Sequence, residues 1–242
     1  MDSKFEPVMS GGRPATLPPV ARPEPLAVDS ARVLRNTYWL LALSLLPTVA
    51  GALVGTQLNF IGLFRTAPIM TPLLMLAVMM GSLWVVTLLR NSAWGVAALF
   101  GFTFISGLML TPILSVAAGF RNGGQLVALA GGLTAGVFFA LAAYATVSKR
   151  DFGFLGKFLF VGVVLLLIAM VANLFFQVPA ASLALSAIAV MIFSLYLLFD
   201  LSRIVRGGET NYVMATLALF LDLFNIFVNL LNLLLAFSGQ RD

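Results

Sequence analysis

Two aspartates stand where a charged residue is hardest to keep. Asp222 lies about ten residues into a long apolar run, and Asp200 closes the run before it, in Phe199-Asp200-Leu201-Ser202-Arg203. At about 1.5 Å of rise per residue, Asp222 sits about 14 Å deep, near the middle of a bilayer. A charge at that depth costs at least about 2.5 kcal/mol, so it must face a protein interior or a water-filled cavity. Asn225, Asn229 and Asn232 follow at steps of three, four and three residues, which puts all four polar side chains on one helix face. An unsatisfied polar group in hydrocarbon costs several kcal/mol, so this face points inward and the last helix is expected at the centre of its bundle.

The two acids can meet. If the sixth helix runs to about Arg206 and the seventh starts near Val213, their depths differ by only about 5 Å. Two close carboxylates do not both ionise cheaply, so such a pair shares a proton and releases it to a cation. With both ionised, their oxygens suit Ca²⁺, a hard cation that takes carboxylate ligands. Asp200 and Asp222 are therefore the candidate ion and proton site, with Ca²⁺ as the candidate metal. Arg203 and Arg206 follow Asp200 closely, and either could pair with it and hold a gate shut. The plainer alternative is a structural polar seam, in which the asparagines bond between helices and Asp222 is protonated or paired with arginine. A rival chemistry is intramembrane aspartyl proteolysis, with one carboxylate as base and its partner as acid. Against it, no Gly-x-Gly precedes Asp222 and no Pro-Ala-Leu follows, as in presenilin-type proteases. The chain has no histidine and no cysteine, which excludes rhomboid-type serine proteolysis, Cys or His catalysis, disulfides and Cys/His zinc sites. Without histidine, pH sensing would fall to a carboxylate.

Composition says what must hold these residues. Of 242 residues, 61% are hydrophobic and 10% charged, and mean hydropathy is +1.05. Soluble domains are about 25% charged, so this chain could not cover a soluble fold with polar surface. The apolar runs are Tyr38–Leu58, Ile69–Leu89, Ala93–Leu114, Leu126–Val147, Phe158–Phe176, Ala181–Phe199 and Val213–Phe237. Each is near the roughly 20 residues that cross a bilayer as a helix. Continuous runs, rather than alternating ten-residue segments, argue against a β-barrel. The expected fold is an all-α membrane protein, a seven-transmembrane-helix bundle over residues 38–237. Residues 1–37 carry six prolines and few large apolar side chains, and are expected to be a disordered tail. Residues 238–242 form a short C-terminal end.

With the N-terminus inside, eleven lysines and arginines fall on the cytoplasmic side and three (Arg65, Arg121, Arg241) on the other. The positive-inside bias predicts N-terminus in, C-terminus out. The net charge of +5 belongs to these loops, and no soluble basic domain remains to bind nucleic acid. Gly51-xxx-Gly55 and Gly132-xxx-Gly136 are candidate sites of close helix approach.

The stretch Phe199–Phe227 resembles the signature of the Bax inhibitor-1 (TMBIM) family. The similarity is carried by Gly207-Gly-Glu-Thr-Asn-Tyr212, Ala215-Thr216 and Asn225-Ile-Phe227. It extends through Leu34-Arg-Asn-Thr-Tyr38, Pro112-Ile-Leu114, Phe152-Gly-Phe-Leu-Gly156 and Met170-Val-Ala-Asn173, most like the bacterial YccA branch. The resemblance implies a seven-helix bundle with its last helix in the middle. Some bacterial relatives are pH-sensitive calcium leaks with an aspartate pair in the last two helices, which Asp200 and Asp222 resemble. Those relatives lock the pair with a second-helix arginine. Here Ile69–Leu89 holds no charge, and Arg90, just past its end, is the remaining candidate. The YccA branch further implies a bacterial inner-membrane protein that acts as substrate and modulator of FtsH, the membrane AAA protease, which engages a flexible cytoplasmic tail. No enzymatic activity and no cofactor are expected, with Ca²⁺ only as a permeant ion.

Overall fold

A computed structural model describes residues 25–58, 60–148 and 150–239 of the chain. Among the described residues every regular element is a helix: α1 (Pro25–Gln57), α2 (Ile61–Thr66), α3 (Met70–Leu89), α4 (Gly95–Met109), α5 (Thr111–Ala118), α6 (Gly123–Val147), α7 (Leu155–Phe176), α8 (Pro179–Val205) and α9 (Tyr212–Gly239). Among them, seven helices are long and apolar enough to cross a membrane, counting α4 and α5 as one span. This is the seven-helix bundle expected from the runs.

Two boundaries differ from the expectation. The first helix starts at Pro25, inside the stretch expected to be a disordered tail, while residues 1–24 lie outside the described residues. Proline is tolerated at the first helical position because its missing N–H has no partner there anyway. Beyond it no proline interrupts the chain before Pro47, and Val33 and Leu34 pack against the core. A tail composition and a helix can therefore share one segment. The third span breaks at Leu110: α4 ends there, and α5 restarts with Pro112 in its first turn. Proline removes a backbone donor and crowds the preceding turn, which forces the break. Of the expected C-terminal end, Ser238 and Gly239 belong to α9 and residues 240–242 lie outside the described residues.

The last helix is central. α9 packs against α8, α6, α1, α4 and α5. Its residues Val213, Leu219, Phe220, Ile226 and Leu231 are almost completely buried. The outer helices behave differently: α3 packs chiefly on α4, and α7 chiefly on α8. Large apolar side chains of α3 and α7, such as Leu74, Trp84, Phe158 and Ile168, lie open on the perimeter. That is how a membrane-facing surface reads.

The two small-residue pairs separate. At Gly51 an added Cβ would strike the Phe104 carbonyl, and at Gly55 the Thr111 hydroxyl. Gly107 on α4 presses in the same way on the Thr48 carbonyl of α1. The first pair thus joins α1 to α4 and α5 at close range. At Gly132 and Gly136 an added Cβ would meet nothing within 4 Å, so this pair brings no helices together.

Candidate functional site

The site is built on the α8–α9 hairpin. α8 ends with Gly207 at φ +75°, a left-handed position that glycine enters without strain. Gly207 N–H donates to the Ile204 carbonyl, and Gly208 N–H donates to the Arg203 carbonyl. This is the Schellman closure, which stops the helix and turns the chain back. Asn211 starts the next helix: its Oδ1 accepts from the N–H groups of Val213 and Met214. Its Nδ2 donates to the Arg90 carbonyl at 3.0 Å and to Asn91 Oδ1 at 2.8 Å. One amide group therefore caps α9 and clasps the turn between α3 and α4. Glu209 steadies the loop by accepting from the Asn211 N–H and from Arg203. The Gly-Gly-Glu-Thr-Asn motif is the mechanical part of this hairpin.

The hairpin sets Asp200 against Asp222. Asp200 is 9% exposed and Asp222 4%, and the two carboxyl groups meet side chain to side chain. Asp222 Oδ2 is buried and, among the described residues, meets no N–H or O–H donor. Two carboxylates that close repel one another when both are ionised, so the pair is chemically suited to holding a proton or a cation. Tyr196, about one helical turn before Asp200, lies within electrostatic reach of both acids. Nothing in the sequence spacing singled it out, because a tyrosine in an apolar run reads as packing.

The candidate gate arginines lie around this pair rather than on it. Arg203 Nη2 bonds Glu209 Oε2 at 2.8 Å, while its charge still acts on Asp200. Arg206 Nη1 lies 3.8 Å from Asp151 Oδ2. Arg90 is exposed at the end of α3 and meets the hairpin through its backbone carbonyl. The metal expectation can be weighed on donors alone. Among the described residues no group of three or more His, Cys, Asp or Glu side chains could hold an ion. Ca²⁺ takes six to eight oxygens, more than two carboxyl groups supply by themselves.

The asparagine face is only partly a seam between helices. Asn225 Nδ2 donates to the Leu221 carbonyl and Asn229 Nδ2 to the Asn225 carbonyl, both at 2.8 Å within α9. Only Asn232 crosses, donating to Ser186 Oγ of α8 at 2.8 Å. Ser186 was not marked by the sequence, since a serine in an apolar helix more often bonds its own backbone.

Three comparisons bear on this arrangement. Residues 30–239 match the sequence model of a family described as "Inhibitor of apoptosis-promoting Bax1". The chain is 42% identical over 209 residues to "Modulator of FtsH protease YccA" of Escherichia coli K12, covering 86% of this chain and 91% of that protein. It is 38% identical over 207 residues to an "Uncharacterized membrane protein" of Vibrio cholerae, covering 86% of this chain and 90% of that one. The central α9, the paired acids and the glycine-closed hairpin all fall within the matched residues, and the chain belongs to the Bax inhibitor-1 family, in its YccA-like branch.

Proposed function

We propose that this protein is an inner-membrane modulator of the FtsH protease, and that its Asp200–Asp222 pair also makes it a pH-sensitive leak for Ca²⁺. The first part is supported by the relatives. Proteins named as a modulator of FtsH and as an inner membrane protein are 42% identical to this chain over 86% of its length. In this reading the N-terminus is cytoplasmic, the C-terminus lies outside, and the N-terminal residues are what the protease engages. Deleting residues 2–24, which removes no described helix, should abolish FtsH-dependent turnover while leaving ion flux intact. Turnover that persists after the deletion would remove the tail from the mechanism.

The observation that supports the leak is the contact of two buried carboxyl groups from adjacent helices. One shared proton stabilises that contact. Loss of the proton sets two negative charges against each other in a poorly solvated place, where repulsion is large. A cation relieves it. Protons and cations thus compete for the pair, and flux rises as pH rises. Arg203, Glu209 and Tyr196 are the other ionisable groups whose fields reach it. Burial of both acids also speaks against a proteolytic dyad, which needs room for a peptide between its carboxyls.

The test is Ca²⁺ flux into liposomes carrying the purified protein at roughly pH 6 and pH 8, values that bracket neutrality. Wild type should leak more at the higher pH, and Asp222→Asn should lose that dependence. No flux above empty liposomes at either pH would sink the leak reading and leave the modulator reading standing.

A further inference from the structure

A cavity of about 450 Å³ opens at the opposite end of the bundle, where α7 turns into α8. Its polar wall is Asn173 and Gln177 from the end of α7, Ser182 and Ser186 from the start of α8, and Asn229 and Asn232 from α9. Among the described residues no charged side chain lines it. In a chain that is 61% hydrophobic, such a gathering of amides and hydroxyls around one cavity offers polar groups to water or a ligand.

The Asn229 amide is oriented. Asn229 Nδ2 donates to the Asn225 carbonyl. A carbonyl only accepts, so nitrogen is fixed on that side and the amide oxygen faces away from it. Asn229 is 6% exposed, yet its oxygen is not among the buried unpartnered atoms, which among the described residues are Thr37 Oγ1 and Asp222 Oδ2. With no hydrogen bond to that oxygen, it is open to the cavity that Asn229 lines. Asn232 joins Ser186 Oγ at 2.8 Å across the helix pair, and both side chains line the cavity. The turn above is held open: Asn173 Oδ1 accepts the Val178 N–H, and Gln177 sits at φ 51°.

The cavity and the acids share one helix pair. Ser186 faces Asn232 and Asp200 meets Asp222, both across α8 and α9. From Asn229 to Asp222 is about 10 Å along α9. Asn225 stands in the interval on the α9 face, and Tyr196 on α8.

We propose that this cavity is a vestibule for a hydrated cation, held by amide and hydroxyl oxygens and passed toward the carboxyl pair. Its destination rests on the leak reading. Its ligand class rests on the cavity alone. Oxygen dipoles without a full charge hold a hydrated ion firmly enough to admit it and weakly enough to release it, as conduction requires.

The chain contains no cysteine, so single thiols can be placed in the full-length protein. The variants are Ser186→Cys and Asn232→Cys in the cavity, Gln177→Cys at its exposed mouth, and Ala189→Cys, fully buried about one turn deeper on α8. Each is reacted in proteoliposomes with a cationic trimethylammonium thiosulfonate and with an anionic sulfonate of similar size. Ser186→Cys is nearly isosteric and guards against misfolding. Relative to Gln177→Cys, both cavity thiols should favour the cation by about tenfold, and Ca²⁺ should slow the reaction. Ala189→Cys should stay unreactive. Silence at both cavity thiols while Gln177→Cys reacts, or equal rates with the two reagents, would overturn the vestibule. Full modification at Ser186→Cys should also block Ca²⁺ flux. Unchanged flux would overturn the passage to the acids while the leak reading stands. Absence of flux in the unmodified protein would instead remove the leak, with the labelling preference still deciding the cavity.

Discussion

α9 and α3 are both long apolar spans of similar hydropathy, yet 39% of the most apolar stretch of α9 is buried inside the protein, against 6% for α3. The difference lies in what else each helix carries. α9 holds Asp222 and three asparagines on one face, which lipid cannot satisfy. α3 has no charged residue and turns Leu74, Met80, Trp84 and Leu88 outward. Lipid tails are as apolar as leucine, so hydropathy brings a helix into the membrane but gives no reason to bury it in the bundle. Polar side chains and close backbone contact give that reason.

The largest expected effect tests the backbone contact. Gly107→Leu would drive a side chain into the Thr48 carbonyl of α1, whereas at Gly81 on α3, an exposed position, an added Cβ meets nothing within 4 Å, so Gly81→Leu starts in open space. The first should cost about 3 kcal/mol or more, or prevent folding. The second should stay within about 0.5 kcal/mol. Thermal unfolding in one detergent measures both, and equal shifts would erase the distinction between the two helices.

A smaller effect comes from side-chain packing. Leu231→Ala removes a side chain with no exposure, and Leu88→Ala one that is 61% exposed. Expected losses are about 2–4 kcal/mol for the first and within about 0.5 kcal/mol for the second. A large loss at Leu88 would mean that α3 packs against a partner not yet seen.

The smallest effect joins the two regions. Asn211→Asp keeps the acceptor that caps α9 but loses the donors that hold the Arg90 carbonyl and Asn91. It should cost about 1 kcal/mol, and Asn211→Ala about 1 kcal/mol more through the lost cap. If Asn211→Asp matched wild type in thermal unfolding, the clasp would carry no weight.

The solvent and the helix count were legible in the chain alone. Apolar runs of membrane-spanning length admit few alternatives, because the backbone must satisfy its own hydrogen bonds in lipid. Asp200, Asp222 and the polar face of the last helix were legible too, since such residues are rare and costly at that depth. Helix spacing even brought the two acids to similar depth. The remaining features come from how the helices pack. That Gly51 and Gly55 join helices while Gly132 and Gly136 do not depends on which neighbours arrive, and glycines read alike along a chain. Asn232 crosses to Ser186 while Asn225 and Asn229 bond within α9, a division that depends on where α8 brings its hydroxyl. Arg203 goes to Glu209 because the glycine closure folds the loop back over the end of α8. Depth follows from counting residues along one helix, but partnership needs the second helix in place, and that placement comes from packing that no single segment contains.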